Sequence, residues 1–154
     1  SYLELFIKPF ILIVKVMCVK KIFMMLTLAM LAQFGWGQEV SYQLSSHILD
    51  INKGAPAADV KIRLSKLEIK TDTWIQVAER TTDNNGRVKD FLPEDGTNHQ
   101  GIYKLTYETA PYFEAQQQDT FYPFIEVVFE IKDDKHYHVP ITLSPFGYST
   151  YRGN

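Results

Sequence analysis

Beyond residue 40, apolar and polar side chains alternate with a period of two over short stretches, the pattern of strands with one buried face. Val60, Ile62 and Leu64 interleave with Lys61, Arg63 and Ser65. Trp74, Gln76 and Ala78 interleave with Ile75, Val77 and Glu79, and Ile102, Lys104 and Thr106 with Tyr103, Leu105 and Tyr107. The pattern predicts strands over Val40–Leu49, Val60–Leu67, Trp74–Thr82, Ile102–Glu108, Phe124–Lys132, Tyr137–Leu143 and Tyr148–Arg152. Asp83-Asn84-Asn85-Gly86 supplies a turn, since Asn and Gly tolerate positive φ, and Asp133-Asp134 marks a hairpin. One short helix is expected, with Thr109 as its cap, Ala110-Pro111 in its first turn and Tyr112–Gln117 continuing it. Phe121-Tyr122-Pro123-Phe124 reads as core packing at the helix-to-strand junction rather than as an aromatic binding stripe. Seven or eight short strands with one helix and no internal repeat imply an all-β, two-sheet sandwich.

The first 37 residues follow a different pattern. Lys20-Lys21 precedes an apolar run from Ile22 to Leu31, and Gly35-Trp36-Gly37 places small residues at −3 and −1 of a cut before Gln38. A basic start, a short apolar core and a small-x-small site are the parts of a secretory signal. The expectation is therefore upstream residues plus a signal peptide over 1–37, with translation starting at Met17, and a domain over 38–154. The mature chain would be secreted or periplasmic and free of stable membrane association. An uncleaved membrane anchor is the alternative, since Leu3–Val16 is also apolar.

The chain has 154 residues and a formal net charge of −2, enough length for one core and no basic excess to hold nucleic acid. From Gln38 onward 12 Lys and Arg stand against 17 Asp and Glu, a net of −5. The single cysteine, Cys18, lies in the removable stretch, so a mature chain from Gln38 has no disulfide, thiol nucleophile or zinc–thiolate site.

Two motifs carry a family resemblance. Leu44-Ser45-Ser46-His47-Ile48-Leu49-Asp50, followed by Gly54-Ala55-Pro56-Ala57, resembles the opening signature of the transthyretin family. His136-Tyr137-His138-Val139-Pro140 and Leu143-Ser144-Pro145-Phe146-Gly147-Tyr148-Ser149-Thr150-Tyr151-Arg152-Gly153-Asn154 resemble its closing stretch. Within the family, His47, the Gly86-Arg87 step, His138 and the Tyr151-Arg152-Gly153 tail are similar to the 5-hydroxyisourate hydrolase branch rather than to the hormone carriers. Asn154 departs from the pattern, standing where that branch usually ends in Ser.

The resemblance implies a transthyretin-like sandwich that opens a lactam C–N bond of 5-hydroxyisourate with water, in urate catabolism. Such a hydrolysis needs a base for water, a donor for the developing oxyanion and an acid for the leaving nitrogen. The resemblance assigns proton transfer to His47 and His138, substrate and oxyanion binding to Arg87, and substrate contact to Tyr151, Arg152, Gly153 and Asn154, with no cofactor. Alternation alone does not choose between His136 and His138, and it leaves open which histidine is the base. His136 reads as a supporting or surface group, and His99 as solvated. Two histidines without a carboxylate or thiolate at ligand spacing make a weak zinc site, so no metal is expected. The resemblance also implies a homotetramer, a dimer of dimers whose channel holds the sites. The rival is a secreted binding module for a small ligand or protein on the same scaffold.

Overall fold

Residues whose side chains alternate in character do form strands, because only the extended backbone sends successive side chains to opposite faces. In the computed structural model the described residues are 40–153 together with 16, 17 and 19–21. The chain divides into two units, Ser1–Glu39 and Val40–Asn154. In the first, residues 16, 17 and 19–21 are helical, and among the described residues no helix is long and apolar enough to cross a membrane. Cys18, the apolar run from Ile22, the cleavage motif and Asn154 lie outside the described residues.

The second unit holds nine strands and one helix: β1 (Tyr42–Asp50), β2 (Ala55–Pro56), β3 (Lys61–Glu68), β4 (Thr73–Thr81), β5 (Arg87–Pro93), β6 (Gly101–Tyr107), α1 (Thr109–Glu114), β7 (Ile125–Ile131), β8 (Tyr137–Ser144) and β9 (Gly147–Thr150). They make the expected two-sheet sandwich. One sheet runs β4-β3-β6-β7, antiparallel throughout. The other runs β2-β1-β8-β9, with β5 also paired to β1. Here β1 and β8 are parallel, with Ser45 opposite His138 and His47 opposite Pro140.

The core lies between the sheets. Leu44, Ile48, Phe91, Ile141 and Leu143 face Ile62, Leu64, Tyr103, Leu105, Tyr107 and Ile131, all with at most 1% exposure. Each such side chain contributes roughly 1.5–3 kcal/mol of transfer free energy. Polar groups within this layer are satisfied. Ser46 Oγ donates to the Val139 carbonyl at 2.8 Å, and Tyr107 Oη donates to the same oxygen at 3.2 Å. Burial pushes the Tyr107 phenol well above its usual range, so it stays neutral.

Five local points differ from the sequence reading. Strand β5 was not legible: its inward residues are Val88, Phe91 and Leu92, a pattern broken where the register shifts opposite Leu44–Ser46 and where Leu92 takes φ 59°. Strand β2, with two residues, is too short to show any period. Thr109 is not the helix cap. Glu108 holds that position without a capping side-chain bond, while Thr109 is the first helical residue, fully buried, with its hydroxyl donating to the Tyr122 carbonyl at 3.2 Å. The helix also stops earlier than expected, because Gln117 adopts φ 56° and ends the turn. Of the 121–124 aromatics only Tyr122 packs against the core, whereas Phe121 is 72% and Phe124 50% exposed.

Candidate active site

The outer face of the β5-β1-β8 sheet gathers the polar residues that alternation excludes from the core. Leu44, Ser46, Ile48 and Asp50 turn inward on β1, so Ser45 and His47 turn outward. On β8, Tyr137, Val139 and Ile141 are buried, which sends His138 and Pro140 to the same outer face. Arg87, the first residue of β5, sits directly opposite His47 across the antiparallel ladder. His47, Arg87 and His138 therefore converge from three neighbouring strands. Residues opposite or diagonal across a ladder lie about 4.5–8 Å apart at their Cβ atoms, within reach of long side chains.

The turn before β5 fixes where Arg87 starts. Asp83 Oδ1 accepts the Asn85 N–H at 2.8 Å and the Arg87 N–H at 2.9 Å, and the Gly86 N–H donates to the Asp83 carbonyl at 2.8 Å. The Arg87 N–H is the main reason the Asp83 carboxyl lies below its usual range. Gly86 has φ 69°, and a Cβ there would stand 2.5 Å from the Ile48 carbonyl oxygen. Its own carbonyl accepts the Ile48 N–H at 2.9 Å, which ties the turn to the residue next to His47.

Both imidazoles are held below their ordinary value of 6.5. For His47 the causes are partial burial, then the Arg87 cation, opposed by a hydrogen bond to the backbone of Asn85 and by the Asp83 carboxylate. For His138 they are partial burial, then Arg87, His47 and His136. The net effect on each ring disfavours the charged form, so at neutral pH both histidines are mainly unprotonated and able to accept a proton. Among the described residues no three His, Cys, Asp or Glu side chains group so as to hold a metal ion.

His138 is further tied down at three points. Its Nδ1 lies 2.8 Å from Ser45 Oγ, its carbonyl accepts the Gly153 N–H at 2.9 Å, and its ring edge faces Gly153. A Cβ at Gly153 would fall 2.5 Å from His138 Cδ2. Ser45 was not singled out by sequence, and His136 was read as a supporting or surface group. Ser45 Oγ also lies 2.9 Å from His136 Nε2, and His136 Nδ1 lies 2.9 Å from the Tyr42 carbonyl oxygen. The available signal was the His-x-His spacing, which put His136 on the His138 face.

The remaining expected residues are distributed differently. The Arg152 guanidinium sits 4.8 Å from the centre of the Tyr137 ring. Tyr137 points inward and His138 outward, so the structure does not bring Arg152 to the histidines. Arg152 and the 60% exposed Tyr151 instead line a groove of about 390 Å³ with Val127, Phe129, Lys132 and Tyr137. Gly153 of the described tail touches His138. His99 is half-buried rather than solvated, with its Nε2 3.0 Å from the Pro93 carbonyl oxygen, away from this face.

The family model described as HIUase/Transthyretin matches residues 44–153. A protein of Caenorhabditis elegans named as a probable 5-hydroxyisourate hydrolase is 48% identical over 112 residues, covering 72% of this chain and 81% of its own length. The solved structure of Klebsiella pneumoniae 5-hydroxyisourate hydrolase superposes with TM-score 0.62 at 34% identity, over 72% of this chain and 98% of that one. Sea bream transthyretin, solved with thyroxine, superposes with TM-score 0.67 at 31% identity, over 72% and 94%. Matched across its whole sandwich, the chain belongs to the HIUase/Transthyretin family.

Proposed function

We propose that this chain is a 5-hydroxyisourate hydrolase that opens the ring with water to give 2-oxo-4-hydroxy-4-carboxy-5-ureidoimidazoline. The observation that carries the reading is the convergence of His47, Arg87 and His138 on one outer face, with both imidazoles neutral beside a permanent cation. The relatives named as hydrolases of this substrate support it.

The chemistry follows from the groups present. Water loses a proton to one imidazole as its oxygen bonds to the lactam carbonyl carbon. Negative charge then develops on the carbonyl oxygen, and the Arg87 guanidinium, which never loses its proton, is the donor in reach of it. The C–N bond breaks as an imidazolium returns the proton to the leaving nitrogen, leaving a carboxyl group and a ureido N–H. No metal is needed for any of these steps. Of the tail, Gly153 borders the site through its contact with His138.

The proposal includes assembly and export. A homotetramer is supported by β7 and β9, each paired on one side only among the described residues, with Val128 57% and Tyr148 41% exposed. Open strand edges of this kind favour pairing with another copy. Export with cleavage before Gln38 is supported by Lys20-Lys21, the apolar run and Gly35-x-Gly37. Sedimentation of the purified protein tests the first, and the mass of the protein from its native host tests the second. The activity itself is tested by following the ultraviolet absorbance of freshly made 5-hydroxyisourate. Catalysed decay is expected, and saturable binding without decay would favour a binding module.

A further inference from the structure

Ser45 joins two histidines that the sequence pattern could not tell apart, and with His136 neutral the directions of its hydrogen bonds follow from valence. The carbonyl of Tyr42 can only accept, so the hydrogen between it and His136 belongs to His136 Nδ1, at 2.9 Å. A neutral imidazole carries one hydrogen, which leaves His136 Nε2 with a lone pair. Ser45 Oγ lies 2.9 Å from that nitrogen and must direct its single hydrogen there. With that hydrogen spent, Ser45 Oγ can only accept at its other contact, 2.8 Å from His138 Nδ1. The hydrogen in that bond therefore belongs to His138, and its Nε2 is left bare.

We propose that Ser45 and His136 are positioning residues that hold neutral His138 as its Nδ1–H tautomer, which makes His138 Nε2 the general base of the site. The chemistry rests on the hydrolase reading above, while the tautomer rests on the hydrogen bonds alone. Among the described residues no hydrogen bond occupies His138 Nε2. When that nitrogen takes a proton from water, the new charge spreads through Nδ1–H to Ser45 and on to His136 and the Tyr42 carbonyl. Every donor in the chain already points the right way, so nothing reorients as charge develops. Gly153 completes the arrangement by bracing the Cδ2 edge of the ring. His47 has no such side-chain chain; its ring is held by a backbone hydrogen bond at Asn85.

The test combines a spectrum with kinetics. Nitrogen-15 NMR of the histidine-labelled full chain, at a pH where the rings are neutral, reads which His138 nitrogen is protonated, without substrate. The wild type is expected to show protonated Nδ1 and bare Nε2, and Ser45→Ala a mixture of the two forms. Ser45→Ala should lose about 10- to 100-fold in kcat with KM nearly unchanged, the usual scale for removing a group that orients a working histidine. Ser45→Thr keeps the hydroxyl and should restore turnover to within about threefold of wild type. His136→Gln keeps both an amide donor and a carbonyl acceptor, and should exceed His136→Phe in kcat. A wild-type spectrum with protonated Nε2 would overturn the proposal. So would a folded Ser45→Ala variant with native kcat. A wild type that shows the Nδ1–H form but never consumes substrate would overturn the hydrolase reading and the base role, while upholding the tautomer.

Discussion

The two histidines proposed to transfer protons sit on adjacent strands, yet the chain holds them by different means. His47 is backed by backbone: its strand is tied to the Asp83–Arg87 turn, with the Ile48 N–H on the Gly86 carbonyl and Arg87 directly across the ladder. His138 is held by side chains and by the segment after β9, through Ser45 and His136 on one edge of the ring and Gly153 on the other. The first arrangement belongs to the fold and cannot be disturbed without disturbing the sandwich. The second is added to a finished fold, so it can be loosened one contact at a time. Stability and activity should therefore respond separately to changes at the two histidines.

Arg87 is shared by both regions, so its replacement should have the largest effect. Arg87→Met is expected to lower kcat/KM by about 10²–10³-fold, the range for removing an oxyanion donor. It should also move the acid limb of the residual activity. The cation lowers the pKa of both imidazoles by disfavouring their charged forms. Removing it raises both values, and activity that needs a neutral ring is then lost at higher pH than in wild type. A pH–rate profile whose acid limb stays in place would contradict that electrostatic account.

Gly86→Ala tests the backbone-held side. A Cβ at φ 69°, 2.5 Å from the Ile48 carbonyl oxygen, forces the turn and β1 apart. The expected loss is about 2 kcal/mol of unfolding free energy, measurable by urea titration. A variant as stable as wild type would mean that the turn tolerates the strain.

Gly153→Ala tests the other side with the same single atom. Here the clash is with the His138 ring rather than with backbone, at a residue beyond the last strand, β9. Turnover should fall by about tenfold while the urea midpoint barely moves. Equal losses of stability at the two glycines would erase the distinction between the two regions. The smallest effect of all is expected from chelation: dialysis against a strong chelator should leave turnover unchanged, since proton transfer and the guanidinium supply every charge the reaction needs.

How far the sequence could be read follows from the same contrast. The inward faces of β3 and β6 were legible because period-two alternation is local, and Ile62, Leu64, Tyr103, Leu105 and Tyr107 are buried as it requires. Strand β5 was not, because a register shift and the positive φ of Leu92 break its alternation. The motifs identified His47, Arg87 and His138, but not how they are held. Ser45 meets His136 across 91 residues of sequence and His138 across 93, contacts set by the parallel pairing of β1 with β8. No local pattern encodes that register. Arg152 shows the converse problem: a residue belonging to a recognisable tail motif can place its charge on the opposite side of the strand, over Tyr137.

The central claim is that His47 and His138 together perform the proton transfers of 5-hydroxyisourate hydrolysis. The direct measurement is the ultraviolet decay of freshly made substrate with wild type, His47→Ala and His138→Ala, each shown by circular dichroism and sedimentation to retain the native fold and assembly. Wild type should accelerate the decay, and each single variant should lose about 10²-fold or more in kcat. Two folded variants that both keep near-native turnover would contradict the account.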